Sequence, residues 1–147
     1  ADESGLRGAW FVGQKYFERG LNGQVIEASN PFLEQTAQLL NAYFASQDVD
    51  FSSLTLADAG TDFQKRVWNY LSQIPKGQTV TYGQIARDLD VASAQAVGGA
   101  VGRNPFSIII PCHRVLGSQG QMTGYAGGLD KKLWLLNHEA AKIDRKK

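Results

Sequence analysis

Apolar residues recur every three or four positions through most of this chain and alternate only near its start. Phe63, Val67, Leu71 and Ile74 form one stripe, the spacing of a helix that buries a single face. Thr61 and Gln64 stand before it as a capping-box pair, and Pro75 and Gly77 end it. A second such pair, Thr81 and Gln84, opens the short helical stretch YGQIARDL. A three-residue turn, Asp90-Val91-Ala92, follows, and Ser93 caps AQAVGGAVG. Helix, tight turn, helix predicts a helix-turn-helix.

Upstream, SNPFLEQTAQLLNAYFA reads as a helix with Asn30 as cap and Pro31 first, and with Phe32, Leu39, Leu40 and Tyr43 on one face. Before it, GLRGAWFVG (residues 5–13) and GQVIEA (residues 23–28) are glycine-bounded and rich in aromatic or β-branched residues, which predicts strands. SQDVDFSSLTLADAG has no helical period and reads as a linker. In the last helix, LDKKLWLLNHEAAK, the apolar face is Leu129, Leu133, Leu136 and Ala140. The expected class is α/β: a small scaffold lobe at residues 1–58 and a mostly helical domain at residues 59–147.

Composition adds little until it is divided. With 43% hydrophobic and 20% charged residues the chain reads as an ordinary globular protein. Its net charge of +1 hides an asymmetry: residues 1–58 carry three basic against eight acidic side chains, residues 59–147 twelve against six. A basic half beside an acidic one is expected where one half meets a polyanion. The helix AQAVGGAVG is almost without long side chains, whereas a major-groove reader needs Arg, Asn or Gln at base edges. Its smooth surface suits a narrow space such as the minor groove, or close packing against another element.

The chemistry concentrates in SIIIPCHRV, which holds the only cysteine and one of two histidines. Residues 108–110 suit a buried strand and Pro111 cannot continue a ladder, so Cys112 is expected where a strand stops. Cysteine is usually buried and inert. Its neighbours His113 and Arg114 argue otherwise, because positive or basic groups lower a thiol's pKa from about 8.5 and populate the thiolate. Adjacent side chains diverge, so a water relay from Cys112 to His113 fits better than a direct bond. A catalytic histidine also needs an orienting group. Glu139, beside the apolar face of the last helix, is the best candidate, against the ordinary alternative of a solvated glutamate.

PCHRV, preceded by GRNPFSIIIP and followed by TGYAGG and WLLNHE, closely resembles the O6-alkylguanine-DNA alkyltransferase family. VTYGQIA and AVGGAVGRNP stand in the expected order. The resemblance implies a DNA-repair protein, active without a cofactor, that moves an alkyl group from guanine O6 onto Cys112 once per molecule. It implies His113 as base through a water and Glu139 as its orienter. Tyr82 would donate a hydrogen bond toward the guanine ring, and Asn104 would hold the turn before the reactive strand. The carbonyls of Cys112 and Val115 would read the guanine amino group, and the loop around Tyr125 would close over the flipped base. Ser93, Ala94, Gln95, Ala96, Gly98 and Arg103 would meet DNA through the minor groove. The first lobe would be ribonuclease-H-like, and the protein a monomer on duplex carrying O6-alkylguanine.

One departure matters: the family usually has an arginine where this chain has Gln95, and glutamine lacks the charge and the stacking guanidinium. Two other readings compete. A non-catalytic lesion-binding protein that signals to other repair factors would not need Cys112. A thiol hydrolase with a Cys-His-Glu triad would not place nucleophile and base side by side. One cysteine and two histidines leave too few ligands for a metal site. With no apolar run near the roughly 18 residues of a membrane span and no secretory signal, a cytoplasmic, prokaryotic protein is expected. The start at Ala1, close to the first strand, is compatible with a trimmed N-terminus lacking one strand.

Overall fold

In the computed structural model, residues 5, 6, 8–11, 31–54, 56, 60–117, 119–122, 125 and 127–145 are described. Helix limits follow local chemistry. Helix α1 (Pro31–Phe44) begins on a proline, whose missing N–H costs nothing in a first turn. Helix α2 (Asp62–Ser72) carries the full capping box: Gln64 N donates to Thr61 Oγ1 at 3.1 Å and Thr61 N to Gln64 Oε1 at 3.0 Å. Helix α3 (Tyr82–Asp88) forms only the forward half among the described residues, Gln84 N donating to Thr81 Oγ1 at 3.1 Å. Asp90, at φ 57°, turns the chain through the left-handed region that a short polar side chain tolerates. Helix α4 (Ala94–Gly102) then starts from Ser93, whose Oγ accepts from Ala96 N at 3.1 Å.

Helix α4 packs against both α2 and α3 through Val67, Leu71, Ile85, Val97 and Val101, all buried in a core that also takes in Leu6 and Leu54. The helix-turn-helix read from the sequence is therefore present. Beside it a two-residue parallel ladder joins β1 (Val80–Thr81) to β2 (Val115–Leu116), with Val80 opposite Val115. No helix among the described residues is long and apolar enough to cross a membrane.

Four expectations need correction. Of the strand predicted over residues 5–13, the described residues form two isolated parallel bridges, Leu6 with Leu56 and Ala9 with Phe106; the strand predicted at residues 23–28 and the cap Asn30 lie outside the described residues. The linker contains a 3-10 turn, Phe51–Ser53, capped by Asp50, and it buries Leu54 in the core. Residues 108–110 are turns, not a strand: Ile108 sits at φ 71° and Ile110 N bonds back to Phe106 O at 2.9 Å. Burial satisfies the three isoleucine side chains, while their backbone finds local partners instead of a ladder.

Helix α5 (Leu129–Arg145) buries a face to one side of the apolar pattern. Leu129 and Leu133 are 48% and 50% exposed, whereas Lys132, Leu135 and Glu139 are buried. Bonds to Glu139, described below, decide the rotation.

Candidate active site

A loop held by one side chain delivers the cysteine. Asn104 Oδ1 accepts from Phe106 N at 2.8 Å, and its Nδ2 donates to Ile110 O at 2.9 Å and Phe106 O at 3.3 Å. Cys112 follows as the first residue of a single 3-10 turn, Cys112–Arg114, which runs directly into β2. Its side chain is 7% exposed. Burial pushes the thiol up, while the Asn104 amide and the charge of Lys132 pull it down.

His113 is fully buried, with Nε2 at 2.7 Å from Glu139 Oε2. We place the proton on Nε2, donating to the carboxylate. That leaves Nδ1 as a bare acceptor, buried and without a partner among the described residues. Burial lowers the imidazole's pKa against the opposing pull of Glu139, so the ring rests neutral.

Glu139 is the hub. Its Oε2 accepts from Tyr43 Oη at 2.7 Å, from His113 Nε2 at 2.7 Å and from Arg114 Nη2 at 3.0 Å, and its Oε1 accepts from Arg114 Nε at 3.0 Å. Burial alone would raise its pKa; the bonds from His113 and Arg114 outweigh that and hold the carboxyl well below the usual carboxylate range.

This geometry overturns one electrostatic expectation. Arg114 does not face the sulfur: its Nη1 donates to Ile74 O at 2.6 Å and its other nitrogens hold Glu139. With His113 neutral, neither neighbour populates the thiolate at rest. The cation that favours it is Lys132, wholly buried on α5, its pKa lowered to about 8 by that burial and supported by Cys112. Sequence reasoning missed Lys132, although it lies seven residues before Glu139, on the same helical face. It also missed Tyr43, which had counted only as part of an apolar face.

The other predicted residues fall into two groups. Tyr82 opens α3 immediately after β1, whose parallel partner β2 follows directly on the cysteine turn; the register, Thr81 opposite Leu116, sets Tyr82 past the end of β2 that lies away from that turn. Its ring lies against α4, where a Cβ on Gly98 would be 3.9 Å from Tyr82 Cδ1. Tyr125 stands edge-on to Phe11 at 6.2 Å, its hydroxyl buried beside Ser107. Burial first, and then the charge of Cys112, raise its pKa. Val115 is buried, and its N–H donates to Cys112 O, whose second lone pair is uncommitted by that bond.

Ser93, Ala94, Gln95 and Ala96 form an exposed first turn of α4, and Arg103 folds its Nη1 back to Gly99 O at 3.1 Å. Nothing lies within 4 Å of a Cβ placed on Gly102, and on Gly99 only the end of Arg103 comes as near as 3.3 Å. Tight packing against another element therefore does not account for the smoothness of α4 at these two glycines. Among the described residues there is no group of three or more His, Cys, Asp or Glu that could hold a metal ion.

A buried cysteine, a histidine–carboxylate pair and a smooth helix-turn-helix together describe a protein equipped for thiol chemistry beside nucleic acid. The chain belongs to the 6-O-methylguanine DNA methyltransferase family, whose DNA-binding domain matches residues 62–141. It is 44% identical over 142 residues to the methylated-DNA–protein-cysteine methyltransferase of Methanosarcina acetivorans, covering 95% of this chain and 88% of that protein. It is 49% identical to the protein of the same name from Shigella flexneri over 115 residues, 78% of this chain and 66% of that one. A crystal structure of Mycobacterium tuberculosis OGT in complex with DNA superposes with a TM-score of 0.83 at 37% identity, over 97% of this chain and 85% of that one.

Proposed function

We propose that this protein repairs DNA by taking the alkyl group of O6-alkylguanine irreversibly onto Cys112, once per molecule. The observation that carries the reading is His113: one ring nitrogen is committed to Glu139 and the other is buried and bare, next in sequence to the lone cysteine. In the step, the Cys112 thiol gives its proton through a water to His113 Nδ1. The thiolate attacks the alkyl carbon, an S–C bond forms as the C–O6 bond breaks, and the electron pair stays on the purine. The proton returns to the purine, leaving guanine. Tyr82 donates toward the ring as negative charge grows there, and Lys132 stabilises the thiolate before attack. A thioether offers no easy leaving group, so the sulfur is not regenerated.

Base flipping brings the target to the sulfur and costs least for a poorly paired base. We assign duplex binding to α4 in the minor groove, with Ser93, Ala94, Gln95, Ala96, Gly98 and Arg103 along the backbone and groove floor. The open space at Gly102 supports this assignment. Tyr125 covers the extruded base, and the carbonyls of Cys112 and Val115 read its amino group. Residues 1–58 form a ribonuclease-H-like lobe, residues 59–147 the repair domain, and the protein works as a cytoplasmic monomer. Mass spectrometry after mixing with duplex containing O6-methylguanine tests the reading. One methyl gained on Cys112, with a single turnover, is the expected result; intact lesion held tightly without a mass change refutes it in favour of a non-catalytic lesion binder.

A further inference from the structure

We propose that Tyr43, carried by α1 in the first lobe, is a positioning residue for the transfer: by donating to the Glu139 oxygen that His113 also uses, it sets how firmly the carboxylate holds the imidazole. The inference rests on the alkyl-transfer reading and deepens it, since it gives the first lobe a share in the chemistry.

The geometry is an oversubscribed oxygen. A carboxylate oxygen offers about two lone-pair sites, yet Glu139 Oε2 receives three donors, Tyr43 Oη and His113 Nε2 at 2.7 Å each and Arg114 Nη2 at 3.0 Å. Oε1 receives Arg114 Nε alone among the described contacts. The donors on Oε2 compete, so each weakens the hold of the others. When His113 takes the thiol proton its bond to Oε2 becomes charge-assisted and strengthens; the Tyr43 hydroxyl draws off part of that gain. The thiolate–imidazolium pair is thereby less favoured than the carboxylate alone would make it. A sulfur that can be used only once is kept protonated at rest.

Tyr43 is suited to this task. It is 2% exposed, and burial, followed by the charge of Glu139, raises its pKa far enough that it stays a donor at working pH. Its ring packs against Phe44, Phe51 and His138 with Lys76 Nζ 5.2 Å from the centroid, and its carbonyl oxygen lies 2.9 Å from His138 Nε2. The other charged or titratable groups bearing on the site are Arg114 on Glu139, Lys132 toward Cys112 and His113, and Tyr125 toward Cys112. Removing one hydroxyl leaves all of them in place.

The test uses the full chain and two variants: Tyr43→Phe, and 3-fluorotyrosine installed at position 43, which keeps the hydroxyl but makes it a stronger donor. Because Cys112 is the sole cysteine, the rate of iodoacetamide alkylation against pH reports its ionisation without DNA. Y43F should move the rising limb to lower pH by about half to one unit, and fluorotyrosine should move it to higher pH. Limbs that coincide with wild type, or that move in the same direction, overturn the inference. Should Y43F fail to fold, the fluorotyrosine limb decides by its sign. Methyl uptake by the wild type from O6-methylguanine duplex, followed in parallel, keeps the two claims apart. Uptake without opposed limb shifts sinks the role of Tyr43, whereas opposed shifts without uptake sink the transfer reading.

Discussion

Trp68 Nε1 donates to the carbonyl of Ala100 across 2.9 Å, fastening α2 to the middle of α4. The indole is 6% exposed, so the bond is made out of reach of bulk water. Trp68→Phe keeps most of the apolar contact and leaves the indole's place without a donor. The expected cost is about 1–3 kcal/mol, read as a lowered urea midpoint with an unchanged slope.

The outer stripe of α4 separates stability from DNA binding. Gly102 lies seven residues after Gln95, on the same helical face, and a Cβ there meets nothing within 4 Å. Gly102→Ala should leave stability unchanged or raise it by up to about 1 kcal/mol. Gly102→Leu should fold equally well but bind duplex at least about tenfold more weakly, by roughly 1.4 kcal/mol. Undiminished affinity in a fluorescence-anisotropy titration would remove α4 from the groove.

Gln95 stands exposed in the first turn of α4. Restoring a planar cation with Gln95→Arg should speed methyl uptake, through tighter duplex binding or faster flipping. A single-turnover rate equal to or below that of wild type would show that the glutamine is no handicap.

Lys132 carries a stability cost with a definite pH signature. Its pKa is lowered from 10.5 to about 8, so the folded protein binds that proton less well than the unfolded chain. Stability from this group is therefore highest above 10.5 and is lost as pH falls toward 8. In a Cys112→Ser background, where no thiol titrates, Lys132→Met should be more stable at neutral pH by about 1–3 kcal/mol. The gap should close between pH 8 and 10.5 in denaturant titrations. With Cys112 intact, the same change should slow iodoacetamide alkylation several-fold, because the thiolate loses its cation.

Asn104→Ala strands the buried N–H of Phe106 and leaves the Ile110 carbonyl with Cys112 N alone. We expect a loss of about 1–3 kcal/mol and faster reaction of Cys112 with small thiol reagents as the loop opens. A destabilised variant whose cysteine stays as slow as in wild type would show that the loop keeps its shape without the amide.

Much of this molecule could be read from its residues, and the failures share a cause. The capped helices were legible because Thr61, Thr81 and Ser93 act on donors three residues away. The pairing of His113 with Glu139 was legible through chemistry and resemblance together. What stayed hidden depended on partners distant in sequence. Tyr43 and Glu139 stand 96 residues apart, and no periodicity signals that bond. The pattern of α5 pointed its leucines inward because apolar burial is the usual driving force. Here the bonds to Glu139 decide the rotation, and Leu129 and Leu133 are left outside. The run at residues 108–110 had the composition of a strand, but Ile109 N and Ile110 N bond back to Ser107 O and Phe106 O, and Asn104 Nδ2 takes Ile110 O.

That bond bears on how the family can drift. The segment leading to the sulfur belongs to no extended ladder: its own turns and the backbone of Ala9 share its support with the carboxamide of Asn104. Isoleucines 108 to 110 are thus interchangeable with other oily side chains of similar bulk, while the amide at 104 has no chemical synonym. Natural variation should accordingly be freer in those three side chains than at the nitrogen and oxygen of residue 104.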